Sequence, residues 1–175
     1  MDPTDPADPL DPNSLTPQGR PDMAPARLAG TWWIVSSSFP MWLGGRRTGA
    51  RFTYAPLPGG RAGAPRMSDR VGYRSGGRER AILGTDTRLT DRPGTVYRWR
   101  GKGLLAALSS VWEVTEAGPG DAWAVIAFSK SLATPAGHDV VVREEHLEDA
   151  DVMADALAVG ARYGTTVLAE FAPGI

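Results

Sequence analysis

The sequence predicts an all-β chain: eight antiparallel strands in up-and-down order, closed into a barrel, with one amphipathic helix packed outside near the C-terminus. Three observations predict it. From Leu28 onward, short segments of β-type alternation are broken by Gly/Pro clusters. Eight such segments follow one another at close spacing, as a meander requires. A single helical pattern occurs, and only after the eighth segment. Eight antiparallel strands leave two edges unpaired, and closure into a barrel removes both.

The segments are TWWIVSSS (31–38), ARFTYAPL (50–57), PRMSDRVGYRS (65–75), RERAILGTDTRL (78–89), GTVYRWRGK (94–102), LSSVWEVTEAG (108–118), DAWAVIAFSKS (121–131) and HDVVVREE (138–145). The sixth and seventh are joined through GPGD, a hairpin connection. The helix falls within residues 147–164, with Asp149 as N-cap and Gly164 just past its end. Met153, Leu157 and Gly160 share one stripe, with Val152, Ala156 and Val159 beside it. A short strand, TTVLAEF, then closes the chain.

Residues 1–25 read differently. Asp-Pro recurs every three positions in residues 2–12, and proline fixes φ and removes a donor, so this stretch favours extended structure over helix or sheet. It is expected to be a mobile leader, either a solubilising tail or a flap over a cavity mouth, with the barrel domain spanning residues 26–175.

Composition narrows the function classes. A chain of 175 residues builds one domain with a sizeable core. Nineteen basic and 20 acidic side chains leave a net charge of −1, so bulk electrostatics draws it neither to nucleic acid nor to anionic membranes. No apolar run suits membrane insertion. The acidic, proline-rich start lacks the basic and apolar regions of a secretory signal, so the expected location is cytoplasmic. With zero cysteines there are no disulfides, thiolate nucleophiles or thiolate metal sites. The two histidines carry no ligand spacing, so neither metal nor cofactor is expected. Protein partners stay open.

Gly30-Thr31-Trp32 at the first strand, Arg143 at the end of the eighth and a helix directly after it carry a resemblance. In order and in these residues the chain resembles the lipocalins of the calycin superfamily, most nearly the bacterial outer-membrane type and its relatives, over roughly residues 28–172. DAWAVIAFS looks like that family's seventh strand. The resemblance implies that Trp32 lies at the closed end of the barrel under Arg143, as a structural signature with Gly30. Trp33 then faces outward, to be covered by the helix or the leader. Phe128-Ser129-Lys130 stands where the family carries a Thr-Asp-Tyr-like triplet. GTWWIV does not extend into the longer motif of the heme-binding nitrobindin barrels, so heme is not implied.

Strand alternation nominates the cavity wall. The more apolar phases place Phe52, Tyr54, Val71, Tyr73, Trp112 and Val114 inside. VYRWR is open: one phase gives Tyr97 and Trp99, the other Val96, Arg98 and Arg100. Two unpaired guanidiniums in a dry lumen are costly, which favours Tyr97 and Trp99. Arg98 inside would instead bind a carboxylate, enolate or phosphate. Strand seven is apolar on both phases; Trp123 is counted with the wall. In the loop SSSFPMWLGGRRTG, Phe39, Met41, Trp42 and Leu43 are apolar enough either to plug the barrel or to form a lid hinged at Gly44 and Gly45. GKGLLAAL, between strands five and six, has similar character and is placed near the opposite rim. Asp69 and Asp86, single acids in strands, are expected to be solvated or paired with neighbouring arginines.

The function expected is binding of one hydrophobic or amphipathic small molecule of the fatty acid, polyketide or terpenoid class, held by Phe39, Trp42, Phe52, Tyr54, Tyr73, Tyr97, Trp99, Trp112 and Trp123. Lipocalin-like barrels also include cofactor-free, pericyclase-like cyclases and isomerases of secondary metabolism. Such an enzyme would fold a polyene in the same cavity without a legible motif, and here no catalytic residue can be singled out. The Arg-, Ala- and Gly-rich composition is that of a high-GC bacterium, where such pathways abound. An interaction module using Trp33 and the leader is the third class, and it expects a filled barrel.

Overall fold

The computed structural model describes residues 21–131 and 135–172; the Asp-Pro repeats of the expected leader lie outside the described residues. Eight strands form the barrel: β1 (Gly30–Ser37), β2 (Thr48–Leu57), β3 (Arg66–Ser75), β4 (Arg78–Arg88), β5 (Thr95–Gly101), β6 (Ser109–Ala117), β7 (Trp123–Phe128) and β8 (Gly137–Arg143). Each pairs antiparallel with the next, and β1 pairs with both β2 and β8, which closes the sheet. The connections β1–β2, β3–β4, β5–β6 and β7–β8 therefore lie at one end and the others at the opposite end.

β1 serves two partners by bending. Its first half, Gly30–Trp33, pairs with β2, while Trp32–Ser37 pairs with β8. Where β2 has left, the short strand β9 (Thr166–Val167) takes the free edge at Ser36 and Ser37. The rest of TTVLAEF turns into a 3-10 segment at Ala169–Phe171. A register shift between Ile34 and Ser36 resets the alternation. Ser36 then bonds Thr165 on the outside at 2.6 Å, while Ser37 turns to Asp139.

Two short helices flank β1, α1 (Pro25–Leu28) before it and α2 (Pro40–Leu43) after it, each with proline at its start, where the missing N–H costs nothing. The one long helix, α3 (Ala150–Arg162), follows the eighth strand as expected. Asp149 caps it, accepting from the N–H groups of Asp151 and Val152 at 3.1 and 3.2 Å, and Gly164 follows its last turn with φ of +68°.

The apolar side chains divide into two cores. One fills the lumen and includes Trp32, Ile34, Phe52, Tyr54, Met67, Tyr97 and Trp112. The other lies outside the barrel wall, where Val35, Trp123, Val125, Val140 and Val142 meet Ala156 and Val159 of α3. This corrects the placement of Trp123. It belongs to the outer core, and β7 turns Ala124 and Ile126 into the lumen instead. β7 is apolar on both faces because it is covered on both, by lumen and by helix.

The boundary at residue 26 also moves. Met23, counted with the leader, is fully buried in the lumen core. Its N–H donates to Thr95 Oγ1 at 2.7 Å and its carbonyl accepts from the Tyr97 hydroxyl at 3.0 Å. The Pro21 carbonyl also accepts from Thr95 Oγ1 and Asp22 pairs with Arg88 at 2.7 Å, so several contacts pin residues 21–23 to the barrel floor.

Candidate ligand cavity

The floor is built first. Trp32 is fully buried and its indole N–H donates to the Leu28 carbonyl at 2.7 Å. The Arg143 guanidinium lies 4.1 Å above its ring. The guanidinium also donates to the carbonyls of Asp121 and Ala29, each at 2.9 Å, and to that of Arg27. A desolvated cation over a tryptophan is worth ~2 kcal/mol, and charge-assisted hydrogen bonds add to it. Gly30 has φ of +115°, and a Cβ there would lie 3.4 Å from an Arg143 nitrogen, so the Gly-x-Trp pattern and the arginine are one device. Trp33 faces outward, as alternation requires. Among the described residues, Arg51 stacks on it at 5.2 Å, Phe171 meets it edge-on at 6.4 Å, and Glu144 accepts its N–H at 3.2 Å.

Above the floor, an aromatic stack crosses the lumen. Tyr97 lies on Trp112 at 4.8 Å, Trp112 on Tyr54 at 5.9 Å, and Tyr54 on Phe52 at 5.9 Å. Trp112 belongs to β6 and Tyr54 to β2, strands on opposite walls. Tyr97 is fully buried beneath the stack, in the floor rather than the wall of the hollow.

Between this stack and the loops of the other end is a hollow of about 250 Å³. Phe52, Tyr54, Val71, Ile82, Trp99 and Trp112 line its sides. Phe39 and Trp42 close over it from the first loop, and Leu105 and Leu108 from the β5–β6 loop. The two apolar loops therefore share one rim, correcting the opposite placement of GKGLLAAL. Phe39 packs edge-on against Phe128 at 5.4 Å. Tyr73 is not in the wall; it supports the lid from behind, edge-on to Trp42 at 5.8 Å with Arg47 on its ring at 5.0 Å. Arg98 and Arg100 are exposed, so the VYRWR strand turns Tyr97 and Trp99 inward.

Carboxyl groups are the residues that sequence reasoning misplaced. Asp69 is 5% exposed and Asp86 fully buried, and among the described residues neither has an ion pair with an arginine. Asp139, not singled out from the sequence, is 1% exposed. Asp69 and Asp139 line the hollow. Asp86 accepts the Trp112 indole N–H at 2.8 Å, and Asp139 accepts the Ser37 hydroxyl at 2.5 Å. Asp69 Oδ1, Asp86 Oδ2 and the Trp99 indole N–H are buried without any hydrogen-bond partner.

Burial disfavours the charged form of each acid. It pushes the Asp139 carboxyl up to about 7 against the opposing Ser37 hydrogen bond. It pushes Asp86 up to about 7 against the Trp112 hydrogen bond. Asp69 is raised well above the usual carboxylate range by burial and by the neighbouring Asp86 charge. The Tyr54 phenol is raised by burial and then by the charges of Asp69, Asp86 and Asp139. A signal existed in the sequence: Asp69 shares its strand phase with Met67 and Val71, both lumen residues.

No family model matches the chain, and no curated protein matches it. Solved structures do. The siderocalin Ex-FABP, described as functioning through dual ligand specificities, superposes with a TM-score of 0.51 at 17% identity, over 79% of this chain and 84% of its own. A deswapped triple mutant of the bovine odorant-binding protein gives 0.47 at 14% identity, over 79% and 88%. By its closed up-and-down barrel, its flanking helix and its likeness to the siderocalin, the chain has a lipocalin-like fold.

Proposed function

We propose that the chain binds one small hydrophobic or amphipathic molecule in the hollow between the aromatic stack and the lid. The observation that carries this reading is the hollow itself: a largely apolar, aromatic-rich chamber of about 250 Å³, closed below and roofed by loop side chains. An interaction module would expect a lumen filled throughout, as the floor is. On the scale where ~150 Å³ admits benzene, this volume suits roughly ten non-hydrogen atoms. Among fatty acid, polyketide and terpenoid classes, that size favours a ten-carbon terpenoid or a short chain over a long acyl chain. Phe39 and Trp42 on the short helix-bearing loop supply the closing surface.

A second reading, a cofactor-free cyclase or isomerase, draws support from one observation. Asp69 is a cavity-lining carboxyl whose burial favours the protonated form, a positioned acid beside a shaped apolar chamber. It predicts an isomeric product of unchanged mass when polyenes of about ten carbons are incubated with the protein.

The binding reading is tested by following tryptophan fluorescence during titration with geraniol, because Trp42, Trp99 and Trp112 all line the chamber. A saturable change is expected. Ile82→Trp, which grows a side chain into the hollow, should abolish it while the protein stays folded by circular dichroism. Absence of saturable binding with geraniol, 2-phenylethanol and decanoic acid alike would overturn the reading.

A further inference from the structure

The polar half of the chamber has one sign. Asp69 and Asp139 line it and Asp86 stands behind Trp112, while no lysine, arginine or histidine lines it among the described residues. Asp69 lies directly across from Gly84 in the β3–β4 pairing, and Asp86 lies two residues further along β4. Such diagonal neighbours are within side-chain reach. A Cβ on Gly84 would fall 2.0 Å from Trp99 Nε1, so the indole lies flat over that glycine, beside Asp69. Here an oxygen of Asp69 and the Trp99 N–H are both buried with no hydrogen-bond partner among the described residues.

Burying a carboxyl group with an unbonded oxygen costs stability, and the cost rises steeply once the group ionises. A fold that keeps such a group at the wall of an aromatic chamber lacks its counterpart, not a better core. The missing counterpart is a cation or a donor small enough to enter. Aromatic faces on several sides add attraction for a cation in particular: Trp99 and Trp112 from one wall, Tyr54 and Phe52 from the other. A carboxylate ligand would meet only like charge or a protonated acid.

We propose that the chamber takes a small hydrophobic amine, its ammonium nitrogen against Asp69 and its apolar body within the aromatic walls. This rests on the reading of the hollow as a ligand site and names the chemical class of its occupant. The ammonium supplies the partner that Asp69 Oδ1 lacks, and a polar atom of the ligand or a bound water can accept the Trp99 N–H. Asp86, two residues beyond Gly84 on β4, adds acidic character beside Asp69, and Asp139 faces the hollow from β8.

The test uses three probes of one skeleton: 2-phenylethylamine, 2-phenylethanol and phenylacetate, titrated by isothermal calorimetry into the full chain. A charge-assisted hydrogen bond of 1.5–3 kcal/mol predicts about tenfold or more tighter binding of the amine than of the alcohol. Phenylacetate should bind more weakly than either. Asp69→Asn, nearly equal in volume, should erase the amine's advantage over the alcohol. In the unaltered chain, ionising Asp69 for an ammonium releases a proton, so the ratio of amine to alcohol affinity should grow from pH 6 to pH 9, while the amine stays charged. That second readout stands even if Asp69→Asn fails to fold. Equal affinities, a preference for phenylacetate, or a ratio flat with pH would overturn the amine assignment and leave the binding site standing. If none of the three binds saturably, both fall.

Discussion

Tyr97 and Trp99 stand two residues apart on β5 and face the same lumen, yet they belong to different ends of the barrel. Tyr97 is fully buried and its hydroxyl donates to Met23, in a floor where Trp32 and Arg143 are also bonded. Trp99 lines the hollow and its N–H has no partner. In the floor these groups hold the fold. At the hollow, Asp69 Oδ1 and the Trp99 N–H have no partner among the described residues, and unpaired polar groups on the wall of a chamber mark a place prepared for something else.

The largest expected effect concerns the open end. The Asp139 carboxyl is raised to about 7 in the folded chain, above its value of 3.8 when unfolded. Between those values the folded state holds a proton the unfolded state has lost. Stability is therefore fully present below about pH 4 and declines as pH rises to about 7. A shift of that size corresponds to ~4 kcal/mol. Asp86 and Asp69, raised by the same burial, push in the same direction. Urea unfolding should show the midpoint falling from pH 5 to pH 8, and Asp139→Asn should flatten that fall. A midpoint that rises over this range would break the contrast between the ends.

At the closed end, Arg143→Met should lower the unfolding free energy by about 3 kcal/mol, since three carbonyls lose a charged donor and Trp32 loses its cation. The affinity for 2-phenylethanol should stay within about twofold, because the floor is separated from the hollow by the aromatic stack. A loss of binding as large as the loss of stability would mean that the two ends are one unit.

A smaller effect sharpens the comparison from the open side. Gly84→Ala drives a methyl group into the Trp99 indole, an end that can swing because the cavity lies beyond it. Stability should change by less than ~1 kcal/mol, while ligand affinity falls about tenfold as the wall is reshaped. Calorimetry on the same sample reads both.

How much of this was legible depended on whether local chemistry had one solution. Gly30, Trp32 and Arg143 could be placed through the resemblance to the lipocalins, whose Gly-x-Trp start and late arginine they match. Trp112, Tyr54 and Phe52 followed from alternation, and Tyr97 with Trp99 from the cost of burying Arg98 and Arg100. Trp123 could not be placed, since β7 is covered on both faces and its two phases are equally apolar. Asp69 and Asp86 were misplaced by a rule that is usually sound: acids seek water. Their strand phase pointed inward, but only the closed barrel reveals that a raised carboxyl can stay there protonated. Met23 was hidden in a segment without periodicity, where nothing in the pattern separates an anchor from a spacer.

The central claim is that the upper half of this barrel is a chamber awaiting a ligand rather than a loosely packed core. A crystal structure of the full chain grown with 2-phenylethylamine tests it most directly. The account predicts the phenyl ring between Trp99, Trp112 and the lid residue Trp42, with the nitrogen ~3 Å from Asp69 Oδ1. A chamber collapsed around inward-turned Phe39 and Trp42, with no ligand density inside it, would contradict the claim.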